Sequence, residues 1–297
     1  MSREGFEPPT KCLKGTCSAI ELTAQPSAIV TRPKVSVNAK RARSAILARM
    51  ALTHLYLSPH LDDAVLSCGG MIHHQTQAGE AVVVVTVCAG DPPSGPLSAF
   101  AQSLHDRWKT PAEAVAIRRA EDLVALKVLN AEGIHLDVPD CIYRTDAAGQ
   151  ALYASEAGIF GELQPSEGVL IRQTAEHIGR LRERFRPARL YAPFGLGHHV
   201  DHQLTRQAAE LAGGIYAYYE DYPYAAKEVV PASATHLRPE LVPLSPDDLS
   251  AKIAAIGVYV SQISTFWADT EAMAAVVREF ASQVGSGRLA ERLWRAT

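Results

Sequence analysis

A three-layer α/β fold of Rossmann-like type, with a mostly parallel sheet, is predicted by three observations. From Leu52 onward, short apolar runs alternate with helix-length segments, the βαβ rhythm of a parallel sheet. Val82, Val83, Val84 and Val85 are β-branched with no polar alternation, as expected of a strand covered on both faces. Two further apolar runs each lead into a segment dense in His and Asp: Ser58-Pro59-His60-Leu61-Asp62-Asp63 and Gly197-His198-His199-Val200-Asp201-His202. Strand ends are where open α/β sheets place their ligands.

The elements follow in order. Residues 52–57 read as a strand, 63–77 as a helix and 81–87 as a second strand, giving a βαβ unit with a right-handed crossover. Residues 89–108, rich in Pro, Gly and Ser, read as a long loop, and 111–130 as a helix with Pro111 in its first turn. A short strand at 134–136 precedes a helix over 168–185 that stops before Pro187, and 189–192 is a strand leading into the second His/Asp segment. A helix over 202–211 and a strand over 215–218 continue the alternation. Residues 220–238 look irregular or hairpin-like, and helices over 246–260 and 269–284 close the chain. Trp267 and Trp294 are assigned to core packing in these terminal helices.

At 297 residues, with 47% hydrophobic content and a mean hydropathy of -0.03, the chain has enough material for one large domain or two small ones. No apolar run reaches the roughly 20 residues that span a bilayer, and the N-terminus lacks a secretory h-region, so a cytoplasmic location is expected. The five cysteines, an odd number without regular spacing, read as free thiols; Cys12 and Cys17 alone make a poor metal site.

Residues 1–49 carry nine Lys/Arg against three Asp/Glu, a balance of +6, which leaves -9 for the rest of a chain whose net charge is -3. So acidic a body, with no continuous basic stripe, is not expected to bind nucleic acid. Residues 1–49 show neither strand nor helix periodicity and are expected to be a disordered tail before a domain over 50–297. The opening segment from Arg3 to Thr10 resembles a translated T-arm of a tRNA gene, so the native start is expected near Met50. A peptide from residues 1–43, found by mass spectrometry of the protein from its own host, would refute that start.

Catalytic zinc in hydrolases takes three protein ligands and leaves a position for water. His60, Asp63 and His202 are candidates for that set, since His60 and Asp63 are three apart across a strand-to-helix turn. Asp62, between them, is free to face the water as general base. His199, three residues before His202, is the candidate for stabilising the oxyanion as a protonated imidazole, with Asp201 accepting its other proton; His198 is an alternative if the loop register differs. Taken singly, an Asp-Asp pair at a helix start is ordinarily a cap. Two matched segments favour the metal reading, in which other divalent transition metals can replace zinc.

These residues resemble the PIG-L/LmbE family of zinc-dependent N-deacetylases, in which the motifs are His-Pro-Asp-Asp and His-Pro-Asp-His or His-x-Asp-His. They stand here as His60-Leu61-Asp62-Asp63 and His199-Val200-Asp201-His202, with Leu61 and Val200 in place of the prolines. The resemblance implies the same roles for His60, Asp63, His202, Asp62 and His199. It extends over about 53–224: residues 86–91 resemble the family's second strand end. Arg118-Arg119-Ala120-Glu121 resembles a helix segment whose arginine helps form the site, and Val138-Pro139-Asp140 a loop whose aspartate contacts sugar hydroxyls. For Arg118, Arg119 and Glu121 the plain alternative is an exposed helix face, and for Asp140 a turn residue. The aromatic and acidic run 218–224 suits either sugar stacking or a packed hairpin.

The function so implied is removal of an acetyl group from an N-acetylglucosamine-type sugar in a small-molecule conjugate. Two alternatives are an amidase acting on a larger acyl group of a sugar-linked thiol or antibiotic, and a non-catalytic sugar- or nucleotide-binding module. A dinucleotide enzyme ranks below these, because Ser58-Pro59-His60, not Gly-x-Gly-x-x-Gly, follows the first strand.

Overall fold

The computed structural model describes residues 52–108, 114–228, 230–231 and 234–297. The expected tail over 1–49, Cys12, Cys17 and the helix start at Pro111 lie outside the described residues.

Strand β1 (Thr53–Ser58) is buried at every position, as a central strand must be, and β2 (Ala81–Thr86) is buried after its first residue. Strands β3 (Glu132–His135), β4 (Ala188–Pro193), β5 (Ile215–Tyr219), β6 (Leu237–Pro243) and β7 (Ala290–Ala296) complete one sheet in the order β3-β2-β1-β4-β5-β7-β6. The first five neighbours in that order run parallel. The last two pair antiparallel, β7 with both β5 and β6. The expected mostly parallel α/β sheet is what the chain forms.

Helices cover both faces. Along β1 the side chains alternate: Tyr56 joins one core cluster and Leu55 and Leu57 the other. The Tyr56 side is covered by α1 (Asp63–Gln77), through Met71 and Ile72, and by two later helices through Leu249, Met273 and Val277. The opposite side packs on Ile178 and Ala208 of two helices that flank β4. The chain runs outward from β1 through β2 to β3, then returns to β4 on the other side of β1. The β1/β4 boundary is therefore the topological switch point, where loops diverge and leave a crevice at the carboxyl ends of the strands. Both His/Asp segments emerge there.

The remaining helices are α2 (Ala99–Trp108), α3 (Ala114–Val128), α4 (Gly168–Arg184), α5 (Val200–Ala212), α6 (Pro246–Ile256), α7 (Val260–Phe266) and α8 (Thr270–Val284), with short helical turns between. Three expectations need correction. Residues 99–108 are not loop but helix α2, because Ala101 and Leu104 bury a face that the Pro/Gly/Ser-rich stretch just before it obscures. The single helix expected over 246–260 is two helices, α6 and α7, bent by 100° to one another. Trp294 lies on strand β7, not in a helix; its polar neighbours Glu291, Arg292 and Arg295 conceal a strand near the sheet edge. No single helix among the described residues is long and apolar enough to cross a membrane.

Candidate metal centre

At the end of β1 the chain must turn into α1, and the free N–H groups at that helix start need acceptors. Asp62 occupies the N-cap position yet its carboxylate makes no capping bond. Ser58 does that job instead: its hydroxyl accepts from the Ala64 N–H at 3.0 Å and donates to the His60 carbonyl at 2.6 Å. Asp63 accepts the backbone N–H of His60 at 2.8 Å. Both carboxylates of the Asp-Asp pair are thus released from the ordinary cap and point into the crevice.

The second segment enters from β4 through a tight loop. Gly197 has φ +81, and a Cβ there would lie 2.3 Å from the ring of Tyr224, so the close approach demands glycine. His198, at φ 57, turns its ring outward, with Nδ1 3.1 Å from the Gly161 carbonyl. His199 caps α5, its Nδ1 accepting from the Asp201 N–H at 3.2 Å, and lines the crevice. The loop register thus turns His199 inward and His198 to solvent.

Two imidazoles then face one carboxylate oxygen. His60 donates from Nε2 to Asp201 Oδ2 at 2.9 Å and presents Nδ1 to Asp63 Oδ2 at 3.0 Å. His202 donates from Nδ1 to Asp221 Oδ1 at 2.7 Å. Its other nitrogen, Nε2, is buried without a hydrogen-bond partner and lies 3.3 Å from the same Asp63 oxygen. An orphaned buried nitrogen is costly unless it has another use. Tetrahedral coordination with ligand distances of about 2.1 Å separates adjacent donors by about 3.4 Å, so these spacings suit a zinc-sized cation. Each imidazole also has its second nitrogen fixed by a carboxylate, the support that metal-binding histidines ordinarily receive.

Other donor groupings exist: the ligand atoms of His60, His199 and His202 lie within 4.8 Å of one another, as do those of Cys141, His199 and Asp201, and of His60, Asp140 and Asp201. The two sets containing Asp201 are the poorer ones, because that carboxylate already accepts from His60, from the Cys141 N–H at 3.0 Å and from Arg144. Asp201 was expected to orient His199; it orients His60, because its side chain points away from the ring whose nitrogen its own backbone caps.

The electrostatics favour positive charge. Burial lowers the pKa of His60, but hydrogen bonds to Asp201 and Asp63 outweigh it and hold the imidazole well above its usual range. His202 is likewise opposed by burial yet pushed up to about 9 by Asp63 and Asp221. The field that retains those protons also attracts a divalent cation, whose binding displaces them. Asp62 behaves oppositely: burial and then the charge of Asp63 raise its carboxyl to about 6, tempered by Arg118, whose Nη2 is 3.6 Å away. Burial, followed by His60, lowers His199 to about 3, so its imidazole is neutral rather than protonated, with the proton on Nε2 because Nδ1 is an acceptor.

These groups open on a cavity of about 540 Å³ lined by His60, Asp62, Asp63, Arg118, His199 and Tyr224 among others. Asp140 is not part of that lining: it caps the turn Cys141–Tyr143, accepting from the Ile142 N–H at 3.2 Å. Arg119 binds the Ala89 carbonyl and Asp91, and Glu121 binds Ser261, so neither faces the site. Of the run 218–224 only Tyr224 reaches the cavity; Tyr219 and Tyr222 are core, and Asp221 is the carboxylate behind His202. The sequence offers Asp221 only within an aromatic and acidic run, although it follows a parallel strand, β5, as the two motifs follow β1 and β4. Arg144, buried between Asp201 and Glu167, gave no signal at all.

The chain belongs to the GlcNAc-PI de-N-acetylase (PIG-L) family, whose profile matches residues 55–212, from β1 to the end of α5. It is 28% identical over 187 residues to 2'-N-acetylparomamine deacetylase of Niallia circulans, covering 57% of this chain and 66% of that protein. It is 29% identical over 227 residues to the enzyme of the same name from Streptomyces fradiae, covering 70% of this chain and 72% of that one. Among solved structures it resembles teicoplanin deacetylase in a zinc-inhibited form, at TM-score 0.72 and 30% identity, over 82% of this chain and 98% of the other. A deacetylase of the A40926 pseudoaglycone is similar at TM-score 0.68 and 30% identity, over 84% and 98% of the two chains.

Proposed function

We propose that residues 50–297 form a metal-dependent deacetylase that hydrolyses the acetamide of an N-acetylglucosamine-type sugar within a conjugate, giving acetate and a free amine. The observation that carries the reading is the convergence of two imidazole nitrogens on one Asp63 oxygen: His60 Nδ1 at 3.0 Å and His202 Nε2, buried without a hydrogen bond, at 3.3 Å. The relatives support it, being named as deacetylases of 2'-N-acetylparomamine, of teicoplanin and of the A40926 pseudoaglycone. His60, Asp63 and His202 would hold the cation, zinc in the first place, although such a donor set also accepts iron, cobalt or manganese. When bound, the cation supplies Lewis acidity, polarising the acetamide carbonyl and making water acidic near neutral pH.

The chain's own groups do the rest. Asp62, ionised at neutral pH yet more basic than an ordinary carboxylate, takes the proton of the attacking water, held in place by Arg118. As the water oxygen bonds to the carbonyl carbon, the neutral Nε2–H of His199 donates to the growing oxyanion, in surroundings dry enough to strengthen that bond. Asp62 then returns the proton to the sugar nitrogen, the C–N bond breaks, and the amine leaves. Asp201 and Asp221 act through His60 and His202, keeping each ring's other nitrogen turned inward. The buried free thiols Cys68, Cys88 and Cys141 support a reducing, cytoplasmic setting.

Metal-loaded protein incubated with a panel of N-acetylated amino-sugar conjugates is expected to release acetate and amine in equal amounts. Silence across the panel, with one metal bound per chain, would overturn the proposal; faster cleavage of longer acyl chains would make the protein an amidase instead.

A further inference from the structure

We infer that the conjugate carries an uncharged aromatic aglycone, and that the outer walls of the cavity are built to stack on it. The inference rests on the reading above, which puts the acetamide of the sugar on the polar floor of His60, Asp62, Asp63, Arg118 and His199. Three separate segments raise the walls around that floor. Helix α2 contributes Phe100 and Leu104, the turn Glu156–Ile159 and its successor contribute Ile159 and Phe160, and α7 contributes Phe266. Phe266 is 38% exposed, so part of its ring faces the open rim of the cavity.

Charge discriminates among conjugates. Beyond the floor, the described lining has one cation, Arg107, and one anion, Glu156, with Ser103, Gln262 and Thr265 as neutral polar groups. A polycationic aminoglycoside needs a carboxylate opposite each ammonium, and a phosphorylated headgroup needs clustered cations. Among the described residues the wall offers neither. The rings are also fixed in advance: Phe160 sets its edge against His199 at 5.3 Å and against Tyr224 at 6.1 Å between centroids. Helix α7 is tied to α3 where Glu121 accepts from the Ser261 N–H at 3.0 Å and Asp122 accepts from the Tyr259 hydroxyl at 2.7 Å. Since α3 also carries Arg118 to Asp62, the aromatic wall is held in register with the base. Preorganised rings favour a flat aromatic group over a flexible chain, which would lose more freedom for the same buried area.

The test compares methyl, octyl and p-nitrophenyl N-acetylglucosaminides with N-acetylated paromamine in the metal-loaded protein. The aryl glycoside is expected to exceed the methyl glycoside in kcat/KM by at least about tenfold. Phe100→Ala, and the milder Phe266→Leu, which keeps an apolar side chain at a partly exposed rim position, should each cut that ratio by at least about threefold, through KM. A paromamine or octyl substrate equal to the aryl one, or a ratio untouched by both substitutions, would overturn the inference. Calorimetric binding of the amine products separates the two claims. If nothing is hydrolysed yet p-nitrophenyl glucosaminide binds at least about tenfold tighter than the methyl form, and Phe266→Leu abolishes that margin, the aromatic site stands and the deacetylase reading falls.

Discussion

The turn after β1 and the loop after β4 deliver the same kinds of side chain by different means. The first is self-contained: within six residues Ser58 caps the helix, Asp63 binds the His60 backbone, and Asp62 is set free. The second depends on remote groups. His202 is aimed by Asp221 from beyond β5, and that same carboxylate accepts the N–H groups of Gly195 and Leu196 at 2.7 and 3.0 Å, fixing the loop itself. The loops also interlock, since Asp201 of the second holds His60 of the first. The compact turn thus carries the proposed base with little outside help, while the longer loop brings His199 and His202 to the site only through groups distant in sequence.

The sharpest way to break that comparison is Asp62→Asn, which keeps shape and removes the proposed base. Turnover is expected to fall by about 10²–10⁴, the usual worth of a general base, with one metal still bound per chain by elemental analysis. In the unaltered protein kcat/KM should decline below about pH 6 as Asp62 takes up its proton, and the substitution should abolish that limb. Stability moves the other way. The folded carboxyl titrates near 6 against 3.8 ordinarily, so the folded state binds the proton more tightly and an ionised Asp62 destabilises the metal-free protein above that range. Asn relieves a cost of up to ~3 kcal/mol at neutral pH, read as a raised unfolding midpoint without metal. Near-wild-type turnover in this variant would remove Asp62 from the mechanism.

Next in size is the support behind the imidazoles. Asp221→Asn and Asp201→Asn should each weaken metal affinity by about 10–100-fold in a competitive chelator titration. They should differ in stability: Asp201→Asn leaves the buried Arg144, whose charge cannot be shed, with Glu167 as its remaining carboxylate partner, whereas Asp221→Asn faces His202, an imidazole that can lose its proton and keeps Asp63 beside it. Equal losses of stability would mean that the ion pair with Arg144 is not what sets the two positions apart.

Much of this was legible in the chain because the chemistry sits in local motifs. His60, Asp62 and Asp63 occupy one turn, and His199 and His202 one helix start, so spacing alone brings each group together. The start of the parallel sheet was equally plain, since β2 carries the run Ala81-Val82-Val83-Val84-Val85 and β1 is built around Leu55-Tyr56-Leu57. What stayed hidden depends on contacts distant in sequence. Asp221 reads as part of a tyrosine-rich stretch until β5 is placed beside β4, and Arg144 has no pattern because its partners Glu167 and Asp201 are 23 and 57 residues away. The antiparallel pairing of β6 with β7 was missed for another reason: an edge strand such as Leu237–Pro243, exposed at most positions and broken by Pro239, lacks the apolar run that marked β1, and three helices separate it in sequence from its partner. Asp201 was assigned to the wrong histidine because i+2 proximity to His199 suggested a side-chain bond, while the backbone N–H makes it instead.

The smallest expected effect tests whether the first turn is as self-contained as its geometry indicates. Ser58→Ala removes the hydroxyl that accepts from Ala64, leaving one buried N–H at the start of α1 without its partner. A lost cap of this kind costs about 1 kcal/mol, seen as a lower urea midpoint at unchanged slope. The revealing readout is the pH profile. Asp62 sits at the N-cap position with its carboxylate uncommitted to the helix, so it is the nearest replacement acceptor. If it turns to fill that role, a bond to the N–H stabilises its ionised form, and the acid limb of kcat/KM moves below about 6 while turnover drops. A limb that stays in place despite the lost stability would mean that Arg118 and the buried surroundings hold Asp62 without help from Ser58, and the division of labour between cap and base would have to be redrawn.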